Sequence, residues 1–213
     1  MLIGIVGLIG SGKDTVAKRL VEKHNFNRDS FAKSLKDAVS VMFNWDREML
    51  EGNTSSSRHW REQPDKYWSK QFGKTITPRW VLQYFGTEVM RGQMYDGIWV
   101  DSCLGRYKGK DTVISDTRFP NEVNQIRARG GKIIRVKKGP DPEWFVNYVE
   151  GNIIPKNVHS SEYLWARSEF DLIINNDGDL NDLNKSVDNM IMHLLQDHQY
   201  STRGVALTSI SGS

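Results

Sequence analysis

A chain of 213 residues has room for one α/β domain with a well-buried core, and hardly for two. Its composition, 38% hydrophobic and 26% charged, is that of an ordinary globular protein. The formal net charge of only +3 argues against bulk nucleic-acid binding but suits ligands that carry several phosphates.

The single cysteine, Cys103, excludes an internal disulfide and fits a reducing compartment. It and the scattered histidines offer no zinc-ligand spacing. The apolar start has no basic flank and is cut short by a glycine-rich turn ending in Lys13, and no later run has the length of a membrane span. A soluble, cytoplasmic protein is expected, either monomer or homodimer.

Residues 2–6 read as a buried strand, and 14–25 as a helix with Val16, Ala17, Leu20 and Val21 on one face. Residues 26–31 make a short second strand. The spacing of Leu35, Ala38, Val39, Met42 and Phe43 predicts a helix over 33–43. The polar stretch 51–77, rich in Ser, Arg, Lys and Trp, reads as an insertion or mobile flap. Thr77 and Pro78 then open a helix as N-cap and first residue, with Gly86 expected to end it. Another helix lies near 98–107.

Residues 111–116 form a strand that delivers an acid at its end, followed by a helix over 120–129 and a strand over 132–136. The run 137–167 carries Pro140, Pro142 and Pro155 and reads as a lid-like loop. A last strand covers 171–175, and a helix begins at Leu180. The Ser/Thr/Gly-rich tail 201–213 is expected to be flexible. Alternating strands and helices predict one domain over 1–200, with helices on both faces of a parallel sheet and ligands at the carboxyl ends of its strands.

At the first of those ends stands Gly10-Ser11-Gly12-Lys13-Asp14-Thr15, between a strand and a helix. In that setting a glycine-rich turn aims backbone N–H groups and a helix N-terminus at phosphate, and Lys13 spans the β- and γ-phosphates of a donor. The usual hydroxyl directly after the lysine is replaced by Asp14, with Thr15 one place later. Thr15 would then hold Mg²⁺ either directly or through water.

The chain lacks the paired guanine-binding motifs of switch GTPases, since Asp116-Thr117-Arg118-Phe119 has no glycine in the required place. Asp116 can order metal-bound water or contact an acceptor, and Arg118 can reach a transferring phosphate. A surface salt bridge is the plainer alternative for that pair. Arg79 and Gln83, four apart, share a helix face and can clamp a phosphate and a base edge, or simply face solvent. The run Arg58-His59-Trp60-Arg61, with Lys66-Tyr67-Trp68 beyond it, resembles a nucleic-acid surface but more often packs a flap onto its own core. Trp99 and Trp144 are either base stackers or core.

Taken in order, these motifs resemble the deoxynucleoside monophosphate kinases of tailed bacteriophages. The likeness runs from Met1 to about Leu195. It rests on the loop at 10–15, the segment 32–38, the stretch 79–88, Asp116-Thr117-Arg118, His159-Ser160-Ser161-Glu162 and Asn175-Asn176-Asp177-Gly178.

The resemblance implies a P-loop kinase fold with a five-stranded parallel sheet, an acceptor-binding insertion and a lid. It implies transfer from ATP, with Mg²⁺, to deoxynucleoside monophosphates, and no stable nucleic-acid partner. Lys33, Arg79, Gln83, Asp116, Arg118 and Glu162 would face the acceptor. Asn176 and Gly178 would join the loop at 10–15 on the ATP side, while Asp179 is also a candidate helix cap. A P-loop kinase for another phosphorylated small molecule, such as phosphomevalonate, and a nucleic-acid-dependent ATPase are the alternatives.

Overall fold

The computed structural model describes residues 1–208, with side chains for 1–196. The chain runs β1 (Leu2–Val6), α1 (Lys13–His24), β2 (Asn27–Asp29), α2 (Lys33–Phe43), α3 (Arg47–Glu51), α4 (Ser55–Glu62), α5 (Lys66–Phe72) and α6 (Pro78–Gln83). A π-helix (Tyr84–Met94) leads to α7 (Ile98–Leu104), β3 (Thr112–Ile114), α8 (Pro120–Ala128), β4 (Lys132–Lys137) and α9 (Glu143–Val149). Two 3₁₀ turns (Ser160–Glu162, Leu164–Arg167), β5 (Leu172–Asn175) and α10 (Leu180–Thr208) complete it. The expected tail therefore begins inside α10, and its residues 209–213 lie outside the described residues.

Two compact units emerge: residues 1–28 together with 111 onward, and residues 29–110. The first is built on the sheet. Among the described residues five strands lie in the order β2-β3-β1-β4-β5, with β1 parallel to both β3 and β4, and β4 parallel to β5. Every residue of the central strand β1 is buried, as expected for a parallel strand covered on both faces. Ile3, Ile5, Val113 and Ile134 pack with Val16 and Leu20 of α1 and with Leu183, Val187 and Ile191 of α10. Each such side chain, fully buried, contributes about 1.5–3 kcal/mol. The apolar stripe at 3.6-residue spacing thus becomes the platform on which the strand-end loops stand.

The expected lid is more ordered than its prolines suggest. It holds α9 and both 3₁₀ turns, packed around Arg135, whose guanidinium lies 4.7 Å from the Phe145 ring centre and 5.8 Å from that of Trp165. Arg135 also pairs with Asp141 at the root of this segment. Proline removes backbone donors, yet the aromatic residues supply enough apolar surface to fix the chain.

The helical unit, 29–110, departs further from expectation. The polar stretch 51–77 is not irregular chain but contains α4 and α5. Its Ser, Thr and Asp residues act as caps: Thr54 and Ser57 form a capping box, and Asp65 accepts from the Trp68 backbone N–H at 2.8 Å. Its tryptophans pack inward. Phe43 stacks on Trp45 at 4.6 Å, Trp68 lies 4.8 Å from Phe43, and Trp60 meets Trp45 edge-on. Indole N–H groups are satisfied by Asp65 (2.8 Å, from Trp45) and by the Phe43 carbonyl (2.9 Å, from Trp68). This is a small aromatic core, which accounts for the tryptophans of the basic–aromatic run, while Arg58, His59, Lys66 and Tyr67 are exposed.

Thr77 and Pro78 open α6 as expected, but Gly86 does not end it. The helix passes into the π-helix, and the Gly86 carbonyl accepts from the buried Trp99 indole at 2.8 Å. Trp99 is therefore core. Gly86 packs closely on α2: a Cβ there would stand 2.7 Å from Leu35 Cδ2, so the Leu35 side chain would have to shift. A stretch of π-helix this long is rare, and such turns cluster at functional sites.

Candidate active site

The loop at 7–12 leaves the carboxyl end of β1 and enters α1 through Gly12, whose φ of 101° is open to glycine without strain. Inside it the Ser11 hydroxyl is buried and has no hydrogen-bond partner among the described residues, a group that a ligand oxygen would satisfy. Lys13 folds back, donating to the Gly7 carbonyl at 2.6 Å and the Leu8 carbonyl at 2.8 Å. Burial pulls its pKa down to about 8, assisted by the nearby Arg118 charge and opposed by Asp14 and Glu162. Lys13 is thus a partly buried cation held by two neutral carbonyls, a group that an anionic ligand would pair with.

Arg118 faces Lys13 electrostatically from the segment after β3, and donates to Glu162 at 2.6 Å. Burial works against its charge, but the Glu162 carboxylate more than offsets this and raises its pKa. The backbone around it is pinned, because Glu122 accepts from the Arg118 N–H at 2.6 Å and the Phe119 N–H at 3.1 Å. Asp116 also interacts with Arg118. The sequence-predicted Lys13, Asp116, Arg118 and Glu162 therefore meet beyond the carboxyl ends of β1 and β3.

On the other flank of the loop Asn176 donates to the Ser11 carbonyl at 2.9 Å, and Asp177 accepts from the Gly139 N–H at 2.6 Å. Asp179 caps α10, accepting from Asn181 and Asp182 N–H groups at 2.7 and 3.0 Å. Gly178 lies in the turn between these braces. Loop residues 8–11 and residues 135–138 and 140–142 line a cleft of about 230 Å³, with Lys137 and Lys138 on its wall. Thr15 stands partly exposed in the first turn of α1.

Lys33, Arg79 and Gln83 belong to the helical unit. Lys33 pairs with Asp37 at 2.9 Å, and Arg79 with Glu62 at 3.0 Å. Arg79 and Gln83 lie on α6, one turn before the π-helix. Trp144 packs edge-on to Phe145 beside the sheet.

Sequence reasoning overlooked Arg28, Ser115 and the cleft lysines. Arg28 contacts Asp14 and donates to Ser115 Oγ at 3.0 Å. Its one legible signal was a basic residue in the second strand. Lys137 and Lys138 were hidden inside a stretch read as loop.

The deoxynucleotide monophosphate kinase family model matches residues 55–187. An Acanthamoeba polyphaga mimivirus protein, provisionally described as a deoxynucleotide monophosphate kinase, is 32% identical over 152 residues, covering 65% of this chain and 74% of its own. The deoxynucleoside-5′-monophosphate kinase of Escherichia phage T5 is 26% identical over 179 residues, covering 60% and 72%. Among solved structures, shikimate kinase from Aquifex aeolicus aligns with a TM-score of 0.45 and 13% identity over 93% of this chain and 99% of that one. That likeness is too distant to add to what the sheet order already shows.

Proposed function

The chain belongs to the deoxynucleotide monophosphate kinase family, and from that premise we propose that it moves the γ-phosphoryl group of ATP onto a deoxynucleoside 5′-monophosphate, yielding ADP and the diphosphate. The observation that carries this reading is the convergence of Lys13, Arg118 and Glu162 at the mouth of a glycine-rich loop. The acceptor's phosphate oxygen is already ionised at neutral pH, so the transfer needs alignment and charge neutralisation rather than a strong base.

In this reading the loop N–H groups and the Ser11 hydroxyl bind donor phosphates, and Lys13 exchanges its two carbonyl partners for phosphate oxygens. Arg118 neutralises charge on the phosphoryl group, with Glu162 holding it in place. The cleft beside Lys137 and Lys138 takes the donor, while Asn176 braces the loop through the Ser11 carbonyl and Gly178 sits in the adjoining turn. The helical unit supplies Lys33, Arg79 and Gln83 to the acceptor, where Arg79 would release Glu62 for a phosphate.

Mg²⁺ suits the donor set. It prefers hard oxygens and usually arrives on the nucleotide with several waters. Thr15, partly exposed in the first turn of α1, and Asp116, just beyond β3, would hold it directly or through water. Among the described residues no cluster of three or more His, Cys, Asp or Glu side chains forms an all-protein cage. When bound, Mg²⁺ would neutralise charge on the donor phosphates.

Among the described residues no helix is long and apolar enough to cross a membrane. A direct test uses ATP carrying a radioactive γ-phosphate, followed by chromatography of the nucleotides. Label in the β position of a deoxynucleoside diphosphate is expected. Label released only as inorganic phosphate would count against the reading.

A further inference from the structure

Asp14 occupies the place where phosphate loops usually carry a hydroxyl, and its partner is Arg28. Nη2 of Arg28 reaches both the Asp14 carboxylate and Ser115 Oγ, and Ser115 Oγ in turn lies 3.2 Å from Asp14. Ser115 is buried, but the ion pair is open: the Arg28 side chain is 41% exposed and that of Asp14 75%. Exposed pairs of this kind contribute little to stability. What distinguishes this one is its place. It joins the first turn of α1, directly after Lys13, to the residue that precedes Asp116 at the end of β3, on the edge where such sheets bind ligands.

The guanidinium is only partly used. Among the described residues Nη2 makes its contacts, while Nε and Nη1 have none. An arginine held by one nitrogen keeps its remaining N–H groups for a planar, doubly hydrogen-bonded grip on phosphate oxygens.

We propose that Arg28 is a second catalytic guanidinium, contacting the phosphoryl group in transit and held ready by Asp14 and Ser115. The inference rests on the phosphoryl-transfer reading above. In that step the bond from the γ-phosphorus to the β,γ-bridging oxygen breaks and its electron pair leaves with ADP. A new bond forms from phosphorus to an acceptor phosphate oxygen, and no proton need move. Negative charge passes across the transferring group, and Arg28 opposes it from the Asp14 side.

The test compares wild type, Arg28→Ala and Arg28→Lys in steady-state turnover, equilibrium ATP binding and thermal unfolding. Arg28→Ala is expected to lower kcat about 10²-fold or more, with the ATP Kd changed by less than about threefold. Arg28→Lys should recover only part of the rate, because a lysine cannot supply the fork, and the unfolding midpoint should not move. A kcat within about threefold of wild type in Arg28→Ala would overturn the assignment, as would a rate loss that merely follows weaker ATP binding. The slow hydrolysis of ATP without acceptor separates the two claims. If no deoxynucleotide is phosphorylated but hydrolysis still collapses in Arg28→Ala, the acceptor assignment fails and the role of Arg28 stands.

Discussion

The sheet unit and the helical unit use their unusual residues in opposite ways. In the sheet unit the charged groups stand on turns at strand ends, above a mainly aliphatic core, and several are only half satisfied. Lys13 rests on carbonyls, the Ser11 hydroxyl has no partner among the described residues, and Arg28 uses one nitrogen of three. In the helical unit the aromatic residues form the core, polar residues cap short helices, and the candidate ligand groups Lys33 and Arg79 are each paired with an acid. A rigid platform with unsatisfied groups suits chemistry, whereas short capped helices suit selection of the molecule to be modified.

Substitutions on either side should separate these roles. The largest effect is expected from Lys13→Met, which should lower turnover by about 10⁴-fold or more while leaving the fold intact. Its stability has a definite sign. Because the folded pKa of Lys13, about 8, lies below the ordinary 10.5, the unfolded chain binds more protons between those values and the wild type gains stability as pH rises through them. Lys13→Met should therefore be the more stable protein at pH 7, by about 1 kcal/mol or more, with the advantage fading towards pH 10.5. Denaturant titrations at pH 7 and pH 10 check this; a variant less stable than wild type at pH 7 would contradict it.

Next in size is Trp45→Ala. It removes the ring stacked on Phe43 and leaves Asp65 without its indole donor, and should cost about 3–5 kcal/mol. Calorimetry should show the helical unit melting earlier, and a change below about 1 kcal/mol would mean that the aromatic cluster is not its core.

Arg79→Ala should raise the KM for the deoxynucleotide about 10- to 100-fold while the ATP Kd holds, since a charge-assisted contact to phosphate is lost. An equal loss of ATP affinity would erase the proposed division of labour. The smallest effect belongs to Asp188→Asn. Asp188 accepts two hydrogen bonds from Arg19 and meets His24 at 2.7 Å, joining α1 to α10. The Arg19 hydrogen bonds, with help from His24, hold its pKa down to about 2. Its contribution is thus present above the ordinary carboxylate range and lost as pH falls through about 2. The substitution should cost about 1 kcal/mol at pH 7, and little at acid pH.

The same contrast explains what was legible in the sequence. Period and glycine placement located the strands to within a few residues, because a buried parallel strand is an unbroken apolar run and Val16, Ala17 and Leu20 can share only one helix face. Asp116 and Arg118 stood out because they lie on a short motif at a strand end, whereas Glu162, in a 3₁₀ turn between β4 and β5, was named only through the family resemblance. The helical unit was harder to read. Its stability comes from tryptophans meeting across α2, α4 and α5, and no local pattern records which ring faces which. Gly86 suggested a helix end, yet the chain continues as a π-helix whose Gly86 carbonyl accepts from the Trp99 indole, a partner 13 residues away that no local pattern announces. Arg28 was overlooked for a similar reason: its partners are 14 and 87 residues away.

The central claim is tested most directly by coupled ADP release from ATP and Mg²⁺, with dTMP, dGMP, dAMP, dCMP and mevalonate 5-phosphate added separately. ADP release that depends on one or more of the deoxynucleotides is the predicted result, and the responding bases would define the acceptor range. Turnover with mevalonate 5-phosphate alone, or silence with every acceptor while ATP still binds, would contradict it.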